Sequence, residues 1–185
     1  PAEHQPIGYS VTVDGAIGPV TYYQVKRTLD GARKDGADFV LLILDTPGGL
    51  LSSTRMIVKE ILSSEVPVIG FVSPRGGQCA SAGVFIALAC TILAMAPATN
   101  IGAAHPVTIV GGEPDKTMND KIVNDTVSFI RSIATLRGRN ADWAERAVRH
   151  SVSITEREAV ALHVADLIAG DEEELLRAVH GKKVQ

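Results

Sequence analysis

The chain has 185 residues, 45% of them hydrophobic and 21% charged, with a formal net charge of −3 and no basic tract. That length supplies one sizeable core, and the charge excludes a nucleic-acid partner. Aromatic residues are only 4%, so stacking platforms for bases or sugars are excluded as well, and the core must be built from Ile, Leu, Val and Ala.

Residues 9–14 (YSVTVD) alternate and are β-rich, which predicts a strand closed by the Asp14-Gly15 turn. Pro19 opens a helix running to about Lys34, with Val20, Tyr23, Val25, Leu29 and Ala32 available for packing and Asp35-Gly36 as its end. Residues 39–44 (FVLLIL) form a continuous apolar run of strand length, as in parallel sheets buried on both faces. A helix over 51–62 follows, with Leu51, Met56, Ile57, Ile61 and Leu62 as core candidates. Residues 66–72 predict a strand, 84–89 an apolar helical run and 92–95 another short strand. Residues 100–114 are small, Gly-rich and uncharged until Glu113. They are expected as a loop near the site, with 107–120 mobile. An amphipathic helix is predicted from about 119 to 137, with Ile122, Val123, Val127, Ile130, Ile133, Ala134 and Leu136 at helical period and Gly138 as C-cap. Helices over 142–150 and 155–163 come next, the second opened by a capping box from Thr155 to Glu158. A closing strand within 164–169 and a helix over 171–180 complete the pattern. Strands alternating with helices give an α/β fold in one domain over 1–185, its core at about 9–178.

Cys79 and Cys90 are the two cysteines. Across a mostly helical segment they lie roughly 16 Å apart, too far for a disulfide, and both are read as buried small residues. The stretch from Cys79 to Val110 carries no Asp, Glu, Lys or Arg. Residues 80–96 are apolar enough to suggest a membrane span, but Ser81, Gly83 and the following Pro97 favour a buried helix running into a buried strand. No G-x-G-x-x-G follows the first strand and no phosphate loop appears, which disfavours nucleotide binding. No cluster of His, Cys, Asp or Glu has metal-ligand spacing, so neither metal nor cofactor is expected.

The stretch most suggestive of chemistry is Ser73 to Ala89, SPRGGQCASAGVFIALA. A small serine between Ala and Gly at the start of a buried helix suits a nucleophile. The helix N-terminus offers free N–H groups and partial positive charge, which favour an alkoxide and an oxyanion. Close packing alone also explains small residues there. Two Gly-rich turns, Thr46 to Gly49 and Gly76 to Gly83, each follow a buried strand. Side by side they can supply one oxyanion donor each; separately they are ordinary strand-to-helix turns. The α/β-hydrolase G-x-S-x-G and the S-x-x-K of β-lactamases are both absent.

Four segments in order carry a resemblance: Asp45-Thr46-Pro47-Gly48-Gly49, Cys79-Ala80-Ser81-Ala82-Gly83, Asn100-Ile101-Gly102-Ala103-Ala104, and Lys121 ahead of FIRSIATLRGRN. This set resembles the ClpP-class serine proteases, and within them the membrane-bound NfeD type, the stomatin operon partner proteases, over about residues 9–178. The resemblance implies a ClpP/crotonase-like spiral of β-β-α units. It also implies Ser81 as nucleophile, Lys121 as general base, and the N–H groups of Gly49 and Ala82 as oxyanion donors. Gly48, Gly76, Gly77, Ala80, His105 and Pro106 are expected to line the substrate cleft. The family implies a protease domain outside the cytoplasm, membrane-associated through segments beyond this chain, and apolar substrates that include the C-terminal region of stomatin. A homodimer is expected.

A lysine base must be neutral near pH 7, against an ordinary pKa of about 10.4. Burial and the positive end of a helix both lower it, and the predicted helix start puts Lys121 where both act. Asp125, four residues on, opposes them. His105 is the rival base, since ClpP itself uses a histidine in a similar loop, but no aspartate here matches the third member of that triad. His4, His150, His163 and His180 have no constellation around them.

The expected function is therefore an ATP-independent serine endopeptidase with a Ser81–Lys121 dyad. A crotonase-type acyl-CoA enzyme and a non-catalytic module that grips hydrophobic peptides are the alternatives.

Overall fold

The computed structural model describes residues 6–107 and 116–184. In chain order its elements are β1 (Gly8–Asp14), α1 (Pro19–Lys34), β2 (Phe39–Asp45), α2 (Leu51–Leu62), β3 (Val68–Val72), β4 (Gln78–Ala80), α3 (Ala82–Ala89), β5 (Ile92–Met95), β6 (Asn100–Gly102), α4 (Lys116–Leu136), α5 (Ala141–Arg149), β7 (Ser153–Thr155), α6 (Glu156–Ala161), β8 (Leu167–Ile168) and α7 (Glu172–Val179).

The continuous apolar runs become the middle of a parallel sheet ordered β1-β2-β3-β5-β8. Its register sets Val40 beside Val68, Ile69 beside Ile92 and Met95 beside Ile168. Both faces are buried. Val40, Leu42, Leu44, Val68 and Val72 join the main core with Val25, Leu29 and Ala32 of α1 and Ile57 and Ile61 of α2. Leu41, Ile69, Phe71, Ile92 and Ala94 join a second cluster with Leu175 of α7. No polar face is left to break the run, so these strands show no alternation.

A smaller sheet, ordered β4-β6-β7, stands at the carboxyl ends of the central strands. There β4 runs parallel to β6, and β7 antiparallel to it. An isolated bridge from Thr46 to Cys79 ties it to the turn after β2. Two successive strand-strand-helix units result, β3-β4-α3 and β5-β6-α4. Helix α3 is buried along its whole length, which accounts for the uncharged stretch around it. Among the described residues no helix is long and apolar enough to cross a membrane.

Several expectations are corrected. Residues 100–102 are a strand, not loop, and β4 and β7 were not anticipated. Helix α4 is already formed at Lys116, so 116–120 is helix and not mobile loop; residues 108–115 lie outside the described ones. Strand β3 starts at Val68, not 66. Val20 and Tyr23 are 71% and 67% exposed, because the stripe Val25, Leu29, Ala32 turns them to the far side of α1. Met56 is turned out of α2 in the same way, and Leu136 is exposed at the end of α4.

Candidate active site

Ser81 sits where β4 passes straight into α3, with φ 52° and ψ −118°. Such a conformation costs a non-glycine residue about 1–3 kcal/mol, and the surroundings must impose it. Here they do so from both sides. The Ser81 N–H donates to the Gly102 carbonyl of β6 (3.0 Å), and the Ala80 N–H donates to the Thr46 carbonyl (2.9 Å). Small residues make the approach possible. A Cβ on Gly83 would stand 2.6 Å from Cγ2 of Thr46, and one on Gly48 would stand 2.4 Å from Cβ of Ser81 and 2.9 Å from its Oγ. The two Gly-rich turns therefore do lie side by side, in van der Waals contact.

Each turn presents one unpaired donor. Ile17 pairs with the 48–50 segment through the groups flanking Gly49: its N–H donates to the Gly48 carbonyl (2.8 Å) and its carbonyl accepts from the Leu50 N–H (2.9 Å). The N–H of Gly49, between those two bonded groups, has no acceptor among the described residues. The N–H of Gly48 is spent on the Thr46 hydroxyl (3.1 Å), which itself donates to the Gly15 carbonyl (2.6 Å). The second donor is the N–H of Ala82, first residue of α3, where no intrahelical acceptor exists.

Both residues, Gly49 and Ala82, line a cavity of about 270 Å³, together with Leu50, Leu51, Ser81, Phe85, Ala104, Pro106, Val107, Ile122 and Thr126. Apart from the serine and Thr126 its side chains are apolar. Of the anticipated site residues it brings together Ser81, Gly49, Ala82 and Pro106, with Gly48 directly behind the serine. Gly76, Gly77 and Ala80 do not line it. Gly77 and Gln78 are folded against the Asp45 carboxylate, which accepts from the Gln78 N–H (3.0 Å), and Ala80 is held in β4. Leu50, Leu51, Phe85, Ala104, Val107, Ile122 and Thr126 were missed. Leu50 and Leu51 directly follow Gly48-Gly49, and Ile122 and Thr126 share one helix face at i, i+4; those were the available signals.

The two candidate bases are placed differently from expectation. His105 is turned away: its Nδ1 lies 2.8 Å from the Val148 carbonyl of α5, so that nitrogen donates there, and the ring does not line the cavity. Lys121 is the sixth residue of α4 rather than its first, and its side chain is exposed, one residue before the cavity-lining Ile122. The burial and the first-turn position expected for it are both absent. Asp125 does not pair with it. The Asp125 carboxylate is held by Arg55 of α2 at 2.5 Å, and Lys121 has no ion pair among the described residues.

The thiols are not rival nucleophiles. Both are free and buried, and burial pushes Cys79 far up and Cys90 up to about 12. Among the described residues, no group of three His, Cys, Asp or Glu is placed to hold a metal ion.

A model of the NfeD1b N-terminal domain matches residues 7–178. Membrane-bound protease PH1510 of Pyrococcus horikoshii is 37% identical over 186 residues, which cover 97% of this chain and 41% of that protein. The chain thus spans about two fifths of that relative's length. Two solved structures of a 1510-N membrane-bound stomatin-specific protease also match. One, a serine-to-alanine mutant, is 36% identical with a TM-score of 0.90, covering 98% of this chain and 88% of that one. The other, a lysine-to-alanine mutant in complex with a substrate peptide, has a TM-score of 0.88 at 36% identity and covers 97% and 83%. ClpP1 from Listeria monocytogenes, 19% identical over 90% of this chain and 94% of that one with a TM-score of 0.69, shares the fold. The chain is α/β with a ClpP-like arrangement of parallel sheet and helices, and it belongs to the NfeD1b N-terminal domain family.

Proposed function

We propose that this chain is a serine endopeptidase domain acting on apolar peptide segments, with Ser81 as nucleophile, Lys121 as base and the N–H groups of Gly49 and Ala82 as oxyanion hole. The observation that carries this reading is the strained Ser81 backbone set against two unpaired N–H groups from separate turns. Acyl transfer needs that combination: an exposed hydroxyl, and donors aimed at the oxygen that becomes negative. An acyl-CoA enzyme needs only the donors and leaves the strain at Ser81 without a use. The relatives add support. The serine and the lysine altered in their two mutant structures stand one position farther apart than Ser81 and Lys121 do.

In this mechanism the neutral Lys121 amine takes the proton of Ser81 Oγ as the oxygen attacks the scissile carbonyl. The carbonyl oxygen becomes an oxyanion between the two N–H groups. Collapse breaks the C–N bond, and the lysine ammonium gives its proton to the departing amine. Water, deprotonated by the same amine, then hydrolyses the acyl-serine ester. An apolar peptide seated in the cavity lies against Ile122 and Thr126 and takes water from the neighbouring lysine, and desolvation lowers a lysine pKa. Substrate binding thereby supplies the burial that the free site lacks. No ATP, metal or cofactor enters any step.

The apolar lining favours consecutive Leu, Ile, Val or Ala at the scissile bond. The C-terminal region of a stomatin-like membrane protein is the substrate class we assign, with the domain outside the cytoplasm and attached to a membrane, and with a homodimer completing the cleft. A fluorophosphonate probe tests the central claim. Labelling that disappears in Ser81→Ala supports the protease, whereas absence of labelling in the folded wild-type chain points to a binding module or an acyl-CoA enzyme.

A further inference from the structure

Lys121, Asp125 and Phe129 follow one another at i, i+4 and i+8 along α4, so their side chains form one stripe. Residues four apart on a helix are neighbours, and a lysine and an aspartate at that spacing ordinarily pair. Here the pairing is intercepted. Arg55 reaches across from α2, takes the Asp125 carboxylate with its Nη2 and lays its guanidinium over the Phe129 ring at 4.2 Å from the centroid. Phe129 in turn stacks on Phe85 of α3, with ring centroids 5.6 Å apart and planes at 20°. Phe85 lines the cavity beside Ser81, and Leu51, one turn before Arg55, lines it too. A single guanidinium thus joins the helix that follows Gly49, the helix that follows Ser81 and the helix that carries Lys121.

We propose that Arg55 is a positioning residue for the general base: by holding the Asp125 carboxylate against α2 it leaves the Lys121 amine without an acidic partner on its own face of α4. This rests on the Ser81–Lys121 reading. A free Asp125 would stabilise the ammonium form, which cannot accept the serine proton. Arginine suits the task because its planar guanidinium binds a carboxylate and stacks on an aromatic ring at once, and it stays charged at every working pH. The other charges around this stretch are Lys116 and Asp120 on α4, Lys59 on α2 and Arg149 on α5. Arg149 is engaged by Glu145 and by Asn124. Helix α3 carries no charge, and His105 is bonded to Val148. All of these remain in place in the comparison below.

The test is the pH profile of kcat/KM on an apolar peptide for the wild type, Arg55→Met, Asp125→Asn and the double variant. Arg55→Met frees Asp125 and should move the alkaline inflection up by about 0.2–0.4 of a pH unit, which lowers kcat/KM at neutral pH roughly twofold. Asp125→Asn alone should not raise it. Arg55→Met with Asp125→Asn should bring the inflection back to the wild-type position, although the cation–π contact is still missing. An inflection that stays put in Arg55→Met overturns the proposal. So does one that rises but is not restored in the double variant, since Arg55 would then act by packing the helices. Lys121→Ala, measured alongside, separates the two levels. If it retains wild-type kcat/KM, the dyad reading itself falls; if it is inactive, the outcome at Arg55 stands on its own.

Discussion

Replacing Gly48 by alanine probes the site without touching any group that reacts. Gly48 has φ 112°, a region closed to most side chains, and an added Cβ would stand 2.4 Å from Cβ of Ser81, 2.9 Å from its Oγ and 3.0 Å from the Ala82 nitrogen. Carbon atoms rest about 3.5–4.0 Å apart, so Ser81 and the new methyl group must separate by more than about 1 Å. Misplacing a reacting group by about 1 Å costs on the order of 10²-fold, and loss of one oxyanion donor costs on the order of 10²–10³-fold. Gly48→Ala should therefore lower kcat/KM by about 10²–10³-fold, or about 2.7–4 kcal/mol in the barrier. Backbone strain adds about 1–3 kcal/mol against folding, which at about 2–4 °C per kcal/mol lowers Tm by roughly 3–10 °C. The assays are peptide cleavage, the rate of fluorophosphonate labelling and thermal unfolding. Gly76→Ala is the control: its φ is also positive, at 81°, but nothing lies within 4 Å of an added Cβ, and Gly76 is outside the cavity. It should lose a little stability and keep its labelling rate. A Gly48→Ala protein that labels at the wild-type rate would refute the assignment of this turn to the oxyanion hole.

Ser81→Ala and Lys121→Ala should each abolish peptidase activity to a similar extent, because nucleophile and base act as a unit, while His105→Ala should lose about tenfold or less; a dead His105→Ala beside an active Lys121→Ala would replace the dyad by a ClpP-like triad. Cleavage of a mixed peptide library should select runs of Leu, Ile, Val or Ala, and a preference for Lys, Arg or Asp at the scissile bond would contradict the apolar cavity. Light scattering at micromolar concentration should find a homodimer, and a fully active monomer would remove it from the proposal. Hydrogen bonding from Arg149, then its field, with a smaller share from Arg131, holds the Glu145 carboxyl below the ordinary carboxylate range against the opposing effect of burial. Such a group stabilises the fold above its unfolded pKa and loses that contribution as pH falls through the folded value, so Glu145→Gln should show a shallower acid decline in Tm than the wild type.

The long elements were legible because their patterns repeat. Helix α4 and the run Phe39–Asp45 show period and continuity over enough residues to be recognised. Strands β4, β6 and β7 were not, since three residues carry no period and each is defined by partners from distant parts of the chain. In the candidate site, the small residues around Ser81 and Gly49 signalled close approach of two turns, while the roles given to Ser81, Ala82 and Gly49 came from the family resemblance. Leu50, Phe85 and Ile122 were not legible, because which face of a helix meets a cavity is decided by its neighbours. Lys121 shows the same limit. A helix start was inferred where polar residues gave way to periodic ones, but the helical turn reaches back to Lys116. The interception of Asp125 by Arg55, 70 residues away in sequence, leaves no local trace.

The bond from Ser81 to Gly102 has a consequence for the order in which the domain is made. Gly102 belongs to β6, and β6 is braced by β7, whose Ser153 pairs with it. The large sheet is likewise unfinished until Leu167 and Ile168 pair with β5. A ribosome releases these pieces after both glycine turns and the serine have already emerged. Domains fold as units during synthesis, so a nascent chain can display Ser81 long before the backbone that strains it is locked. The strained backbone at Ser81 is thus locked only once residues 153–168 have joined the two sheets, and on the proposed reading the growing chain is spared from its own serine while it is still unfolded.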